Sequence, residues 1–352
     1  MTAQSKTIAV VGSSPFAWLL AGLLAADHSR AIVLLSDPPQ PHRLWAEPAS
    51  SVAPVTRPDT RALVAAHSSA AVKRLNRIAP GMVQRVDMAM GARGEAGKAA
   101  MGHIGHIMMG HRLIVEPLPS AGALSRMRVR DVWQSHSAAF LAVAARWLAA
   151  SNVAVVHSRA GLKIRRDGRA NFGATTIDLV VLADDAAILE WLGAEDIAGF
   201  ARTGTRIGIQ TTPVRQLEQK LMFDLDSGAS WSQAPDGSLL GAASDGGDVG
   251  LGRLAAALPA DLAPRLAAKA YRQTLVPHDG APVIGRTRRG GVYIVSGLGP
   301  LDLMLAPMIA GLIAGTASGL EAEWAAAHGA DLRQPRADVA DYQPSLAQGG
   351  GR

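Results

Sequence analysis

The chain has 352 residues, no cysteine and a formal net charge of +6 at pH 7, with 48% hydrophobic, 18% charged and 4% aromatic residues. That length suits two domains of ~100–200 residues with full cores, and the absence of cysteine excludes disulfides, thiolate-ligated zinc, iron–sulfur clusters and thiol catalysis. The basic residues are scattered (Arg126, Arg128, Arg130; Arg286, Arg288, Arg289), so with so few aromatics a nucleic-acid partner is not expected, and an anionic small ligand or an acidic partner accounts for the charge.

Residues 7–37 read as strand, turn, helix, strand. Residues 7–11 are a short β-branched apolar run, as a buried parallel strand should be. Gly12, Ser13 and Ser14 make a turn. Residues 15–26 are apolar on nearly every face and uncharged, which predicts a buried helix with Pro15 at its first position. Residues 31–35 form a second strand that ends at Ser36 and Asp37. This is the outline of a dinucleotide-binding βαβ unit. Its G-x-G-x-x-G fingerprint is degenerate and becomes Gly12, Ser14 and Ala17. The same turn interrupts what would otherwise resemble a secretory signal, which should be one continuous apolar run. A second apolar stretch, 303–317, contains Pro307 and falls short of the ~20 residues of a membrane span. No membrane span is expected, and a cytoplasmic protein is.

Beyond a loop over 38–58, Asp59 caps a helix over 60–78 that Pro80 and Gly81 end. Residues 82–124 are rich in Gly and Met and predict strands and loops. A helix is expected over 130–151, a strand over 152–157, a hairpin with an Asp167-Gly168 turn over 161–175, and a buried strand over 177–183. Residues 202–245 alternate as half-exposed antiparallel strands do, at 206–210, 221–225 and 239–242. A turn at 246–252, a helical region at 253–273 broken by Pro259 and Pro264, a loop at 276–285 and a strand at 291–296 follow. Gly297-Leu298-Gly299 then turns into a helix over 303–318, and the tail 334–352 is polar and Gly-rich. Within 101–111, three His and three Met suggest soft-metal chemistry. The odd offset of His103 and His106 puts them on opposite faces of a strand. A helix would bring them together, but its glycines oppose one. No metal site is expected; a strand lining a substrate pocket or partner surface is.

In this order the elements resemble the D-amino-acid oxidase-like flavoproteins, which include glycine and sarcosine oxidases. Residues 277–285 (PHDGAPVIG) resemble the family's P-D-G-x-P-x-I-G, and 291–299 (GVYIVSGLG) followed by Leu305-Ala306-Pro307 resemble its G-L-Y-x-x-x-G-H-G…A-P segment. Residues 49–53 sit where the family has a small-residue loop, 153–156 match an inner strand, and 178–184 match the strand that normally ends in Ala-Thr-Gly.

The resemblance implies an α/β fold: a Rossmann-type FAD-binding domain (1–81, 125–201, 279–333) interleaved with an α+β substrate domain built on an antiparallel sheet (82–124, 202–278), then the tail 334–352. It implies FAD as cofactor and oxidation of a C–N bond of a small amine or amino acid by hydride transfer to flavin. The expected cofactor residues are Gly12, Ser13, Ser14, Pro15, Ser36, Asp37, Ser50, Ser51, Val155, Gly297, Leu298, Gly299, Leu301 and Asp302. Arg272 is the candidate for holding a substrate carboxylate and His278 a candidate acid, base or hydrogen-bond donor. Four residues depart from the pattern: Ser14 at the second glycine, Ser36 where the family has the ribose-binding acid, Asp184 after the inner strand, and Asp302 at the helix start. With the Met/His segment they motivate the alternative, a non-catalytic flavoprotein-like subunit that assembles with a partner enzyme. A homo-oligomer is a further arrangement the sequence leaves open.

Overall fold

A computed structural model describes residues 6–37, 48–52, 58–245, 247–258, 262, 264–287 and 291–330. Residues 38–47 and 53–57 of the loop expected over 38–58, and the expected tail 334–352, lie outside them. In chain order the elements are β1 (Thr7–Val11), α1 (Pro15–His28), β2 (Ala31–Leu35), β3 (Ala49–Ser50), α2 (Pro58–Ile78), β4 (Val83–Ala92), α3 (Glu95–Gly110), β5 (Val115–Ala121), β6 (Leu124–Ser135), α4 (Ser137–Ala150), β7 (Ala154–Val156), β8 (Leu162–Ile164), β9 (Ala170–Phe172), β10 (Thr175–Ile177) and β11 (Leu179–Leu182). They continue with α5 (Asp185–Trp191), α6 (Ala194–Ala198), β12 (Ala201–Thr211), β13 (Leu221–Asp224), β14 (Ser230–Gln233), β15 (Leu239–Ser244), α7 (Gly247–Ala257), β16 (Leu266–Pro277), β17 (Val283–Arg286), β18 (Tyr293–Ser296), α8 (Asp302–Ala314) and α9 (Gly319–Ala327).

Two large sheets carry the molecule. The first has six strands in the order β17-β18-β11-β1-β2-β7, parallel except at β17–β18. Its strands are continuous apolar runs because helices or loops cover both faces. The uncharged α1 is buried between this sheet, α4 and α8, with Leu19, Leu20, Leu23 and Leu24 fully inside. Gly22 is what lets α4 approach, since a Cβ there would lie 2.2 Å from the Trp147 ring. The second sheet has nine strands, ordered β16-β12-β15-β14-β13-β4-β6-β3 with β5 beside β6. It is antiparallel except where β4 meets β13. The fold is therefore the expected α/β pair of a Rossmann-type half and an interleaved half built on a largely antiparallel sheet.

Several local expectations give way. Residues 95–110 form α3, not a strand. The glycines there serve packing: a Cβ on Gly97 would meet the Asp226 carboxylate at 2.3 Å, and Gly105 sits against Met127 and Val115. Close contact thus offsets the helix cost of glycine. His103 and His106 face solvent, and no cluster of three metal-binding side chains occurs among the described residues. The helix expected from 130 begins at Ser137, because β6 pairs with β4 as far as Ser135. Residues 125–135, assigned with the Rossmann half, thus lie in the nine-stranded sheet. Residues 266–273, expected as helix, belong to β16, which pairs with β12 over eleven positions. The helix before it starts at Gly247, inside the expected turn, and β17 occupies the end of the expected loop 276–285. In α8, Pro307 is accommodated, and the helix ends at Gly315 (φ 76°) rather than at 318. No single described helix is long and apolar enough to cross a membrane.

Candidate active-site cleft

A cleft of about 410 Å³ opens at the carboxyl ends of β1, β11 and β18 and runs under β12 and β16. That is where an open α/β sheet places its ligand, and the size suits a small molecule. Three walls meet there. One is the first βα turn with Asp184 and Asp185. Another is the segment Ser296–Leu303. The third is the face of the nine-stranded sheet that carries Arg202, Arg206, Arg272 and Thr274.

The first βα turn is closed by the chain itself. One oxygen of Asp184, Oδ2, accepts from the backbone N–H of Ser13 at 2.6 Å and of Ser14 at 3.0 Å. The other, Oδ1, accepts from Ala187 N at 2.9 Å and caps α5. Ser14 is the N-cap of α1, its hydroxyl accepting from Ala17 N at 3.1 Å. Pro15 has no N–H to give. Gly12 is required by space: a Cβ would lie 2.8 Å from Ala17 Cβ and 2.9 Å from Asp184 Oδ2.

Beside the turn, Ser13 Oγ donates to Asp37 Oδ2 at 2.9 Å and accepts from Asp37 N at 2.8 Å. Ser36 is buried and takes a bond from the Trp18 indole at 3.1 Å. Arg159, its side chain 10% exposed, reaches Ser13 Oγ at 3.1 Å and Asp37 at 3.5 Å, and pairs with Glu190. Thus Asp37, not Ser36, carries the charge at the end of β2, and it is held by a cation from beyond β7.

The segment after β18 lines the cleft through Gly297, Leu298, Gly299, Leu301 and Asp302. Gly297 (φ 71°) is pinned by Pro277, whose Cγ would lie 2.7 Å from an added Cβ. Asp302 opens α8 and accepts from Leu303 N at 2.5 Å, which places a carboxylate at the positive end of that helix. Below it, Asp185 accepts from Ser296 Oγ at 2.6 Å and from Leu275 N at 3.0 Å. Burial pushes this carboxyl up from its ordinary value, with the two bonds, the neighbouring charge of Asp184 and that of Arg272 as smaller influences.

Arg272 lies on β16 directly opposite Arg206 on β12, and both border the cleft. Like charges facing across a ladder are unfavourable without an anion or acid nearby. Other expected site residues are not brought to this space. His278 is exposed, with a ring nitrogen 2.9 Å from the Ala198 carbonyl, so it fastens the end of β16 to α6. Ser50 and Ser51 are buried in pairing with β6: Ser51 N donates to the Trp133 carbonyl at 2.7 Å, and Trp133 N donates to Ser51 Oγ at 3.1 Å. Arg61, 6% exposed, donates to the Ser51 carbonyl at 2.8 Å, and burial lowers its pKa to about 10. Of the described residues of that loop, Ala49 borders the cleft. Val155 pairs with Leu34 at the far edge of the first sheet.

Sequence reasoning missed Asp185, Arg159, Arg202 and Arg206. The two arginines were findable, since Arg202, Gly204 and Arg206 are alternate residues that share a strand face. Nothing local distinguishes Arg159.

No protein-family model matches the chain, and no curated protein matches it in sequence. Solved structures do match in fold. L-proline dehydrogenase from P. horikoshii superposes with a TM-score of 0.70 at 13% identity, over 92% of this chain and 97% of that one. Glycine oxidase from Geobacillus kaustophilus gives 0.69 at 17% identity, over 89% and 95%. Fructosamine oxidase from Aspergillus fumigatus gives 0.71 at 14% identity, over 97% and 94%. The chain thus shares, over nearly its whole length, the fold of these three enzymes.

Proposed function

We propose that the protein is a FAD-dependent oxidoreductase that oxidises a C–N bond of a small amine or amino acid. One observation carries this: the turn at the Rossmann half, the Ser296–Leu303 segment and the arginine-bearing sheet face all border one cleft. The proteins of the same fold support it, being by name a proline dehydrogenase, a glycine oxidase and a fructosamine oxidase. FAD would supply the hydride acceptor. Asp37 and the turn at Gly12–Ser14 would adjoin its nucleotide part, and the backbone of Gly297–Leu301 its flavin ring. Arg272, with Arg206 opposite, would hold a substrate carboxylate in place. Asp185 keeps Ser296 and the Leu275 backbone in position at the floor. A cytoplasmic setting goes with this reading on sequence grounds.

The fit to FAD is uneven. Ser296–Leu303 would offer its backbone to the flavin ring. At the turn, the two N–H groups that would face a pyrophosphate already serve Asp184, so the nucleotide fits only after that side chain turns away. This observation favours a second reading, a non-catalytic subunit that keeps the fold and works with a partner protein. A visible spectrum of the purified protein, before and after acid precipitation and with FAD added, separates the two. Flavin bands that move to the supernatant are expected. A colourless protein that takes up no added FAD overturns the enzyme reading and leaves the accessory one.

A further inference from the structure

Four backbone donors around the start of α1 are spent on the chain's own oxygens. Ser13 N and Ser14 N go to Asp184 Oδ2, Ala17 N to Ser14 Oγ at 3.1 Å, and Trp18 N to the Ser14 carbonyl at 3.2 Å. Pro15 contributes none. A single carboxylate oxygen at 2.6 and 3.0 Å from two successive N–H groups, in front of a helix N-terminus, is placed as a phosphate oxygen would be. Its second oxygen caps α5, so this one side chain closes two helices at the ends of the neighbouring parallel strands β1 and β11. The missing side chain of Gly12 leaves this carboxylate its space, and Arg159 bonds the adjoining Ser13 and Asp37.

We infer that Asp184 is a built-in stand-in for pyrophosphate, which completes the turn without ligand and must be displaced before a dinucleotide binds. The inference takes the identity of the ligand from the FAD reading above, but its basis is the seat of Asp184. Two effects oppose the nucleotide. Asp184 competes for the same donors, and its charge repels the phosphates even when it is turned aside. Removing the side chain relieves both. Asp184→Asn keeps the shape and one acceptor but removes the charge, so it should fall between.

The test is titration of wild type, Asp184→Asn and Asp184→Gly with FAD, ADP and riboflavin, followed by quenching of flavin fluorescence and by calorimetry. Thermal melts without ligand run alongside, and Asp184→Asn serves if Asp184→Gly does not fold. The expected result is tighter binding of FAD and ADP to Asp184→Gly, by about tenfold or more, with Asp184→Asn intermediate and riboflavin unchanged. Ligand-free Asp184→Gly should melt below wild type and regain stability with FAD. Equal FAD affinity in wild type and both variants overturns the inference, and if that shared affinity is tight the FAD reading survives it. If only the variants bind FAD, the inference stands and the FAD-enzyme reading falls. If none of the three proteins binds FAD or ADP, both fall.

Discussion

A methyl group at Gly12 tests how tightly the turn is built. Gly12→Ala would set a Cβ 2.8 Å from Ala17 Cβ and 2.9 Å from Asp184 Oδ2. Ala17 is backed by α1, buried between the first sheet and two helices, and cannot recede. Overpacking of this kind costs ~1–3 kcal/mol. If Asp184 yields, the bonds to Ser13 N and Ser14 N weaken as well, adding ~1 kcal/mol on the usual net worth of a hydrogen bond. The single substitution should therefore cost about 3 kcal/mol. Asp184→Gly alone should cost about 2 kcal/mol, from the lost α5 cap and the two lost bonds. Because Gly12→Ala partly spends the same bonds and clashes with the same carboxylate, the double variant should be about 1–2 kcal/mol less destabilised than the sum. Urea unfolding of the four proteins, in a buffer without nucleotide, gives the coupling. Additivity within ~0.5 kcal/mol would refute the close seating of Asp184 against the turn, since the Ala17 contact alone predicts no coupling.

Asp185 should make stability pH-dependent. Its folded pKa is raised above the unfolded value, so the native state binds more protons in the window from the ordinary carboxylate range up to the folded value. Stability should fall as pH rises through that window, and Asp185→Asn should flatten this part of a melting-temperature profile; an unchanged slope would contradict the raised pKa of the acid. Arg272→Met should raise KM for a carboxylate-bearing amine by ~10–100-fold with little change in kcat, the worth of a charge-assisted hydrogen bond, while an amine without carboxylate is unaffected; equal losses for both would remove Arg272 from substrate binding. His278→Ala should leave turnover unchanged and cost ~1 kcal/mol in urea unfolding, because its ring bonds the Ala198 carbonyl outside the cleft. A large loss of kcat there would bring back a catalytic role for it.

The Rossmann half was legible because its signals are local. The β-branched run 7–11, the Gly12–Ser14 turn, Pro15 at the helix start and the apolar strands 31–35 and 179–182 appear where the spacing puts them. Gly297 and Gly299, singled out in the sequence as a turn, line the cleft. The second half was less legible. Residues 266–277 (LAAKAYRQTLVP) carry alanines and lysine that favour helix, yet they form a strand because β12 offers eleven pairing positions. The glycines of 95–110 argued against a helix, yet they are the points where α3 meets Asp226, Met127 and Val115.

What the sequence by itself determined, then, is the order of elements, the βαβ entry and the departures at Ser14, Ser36, Asp184 and Asp302. Each depends on neighbours within a few residues, through backbone preference and apolar period. Only the tertiary structure decided what those departures do. Asp184 reaches the turn across 170 and 171 positions of sequence, Arg159 reaches Ser13 across 146, and Ser296 reaches Asp185 across 111. Which carboxylate meets which N–H is settled by the register of β1 against β11 and β11 against β18, and no local spacing encodes that register.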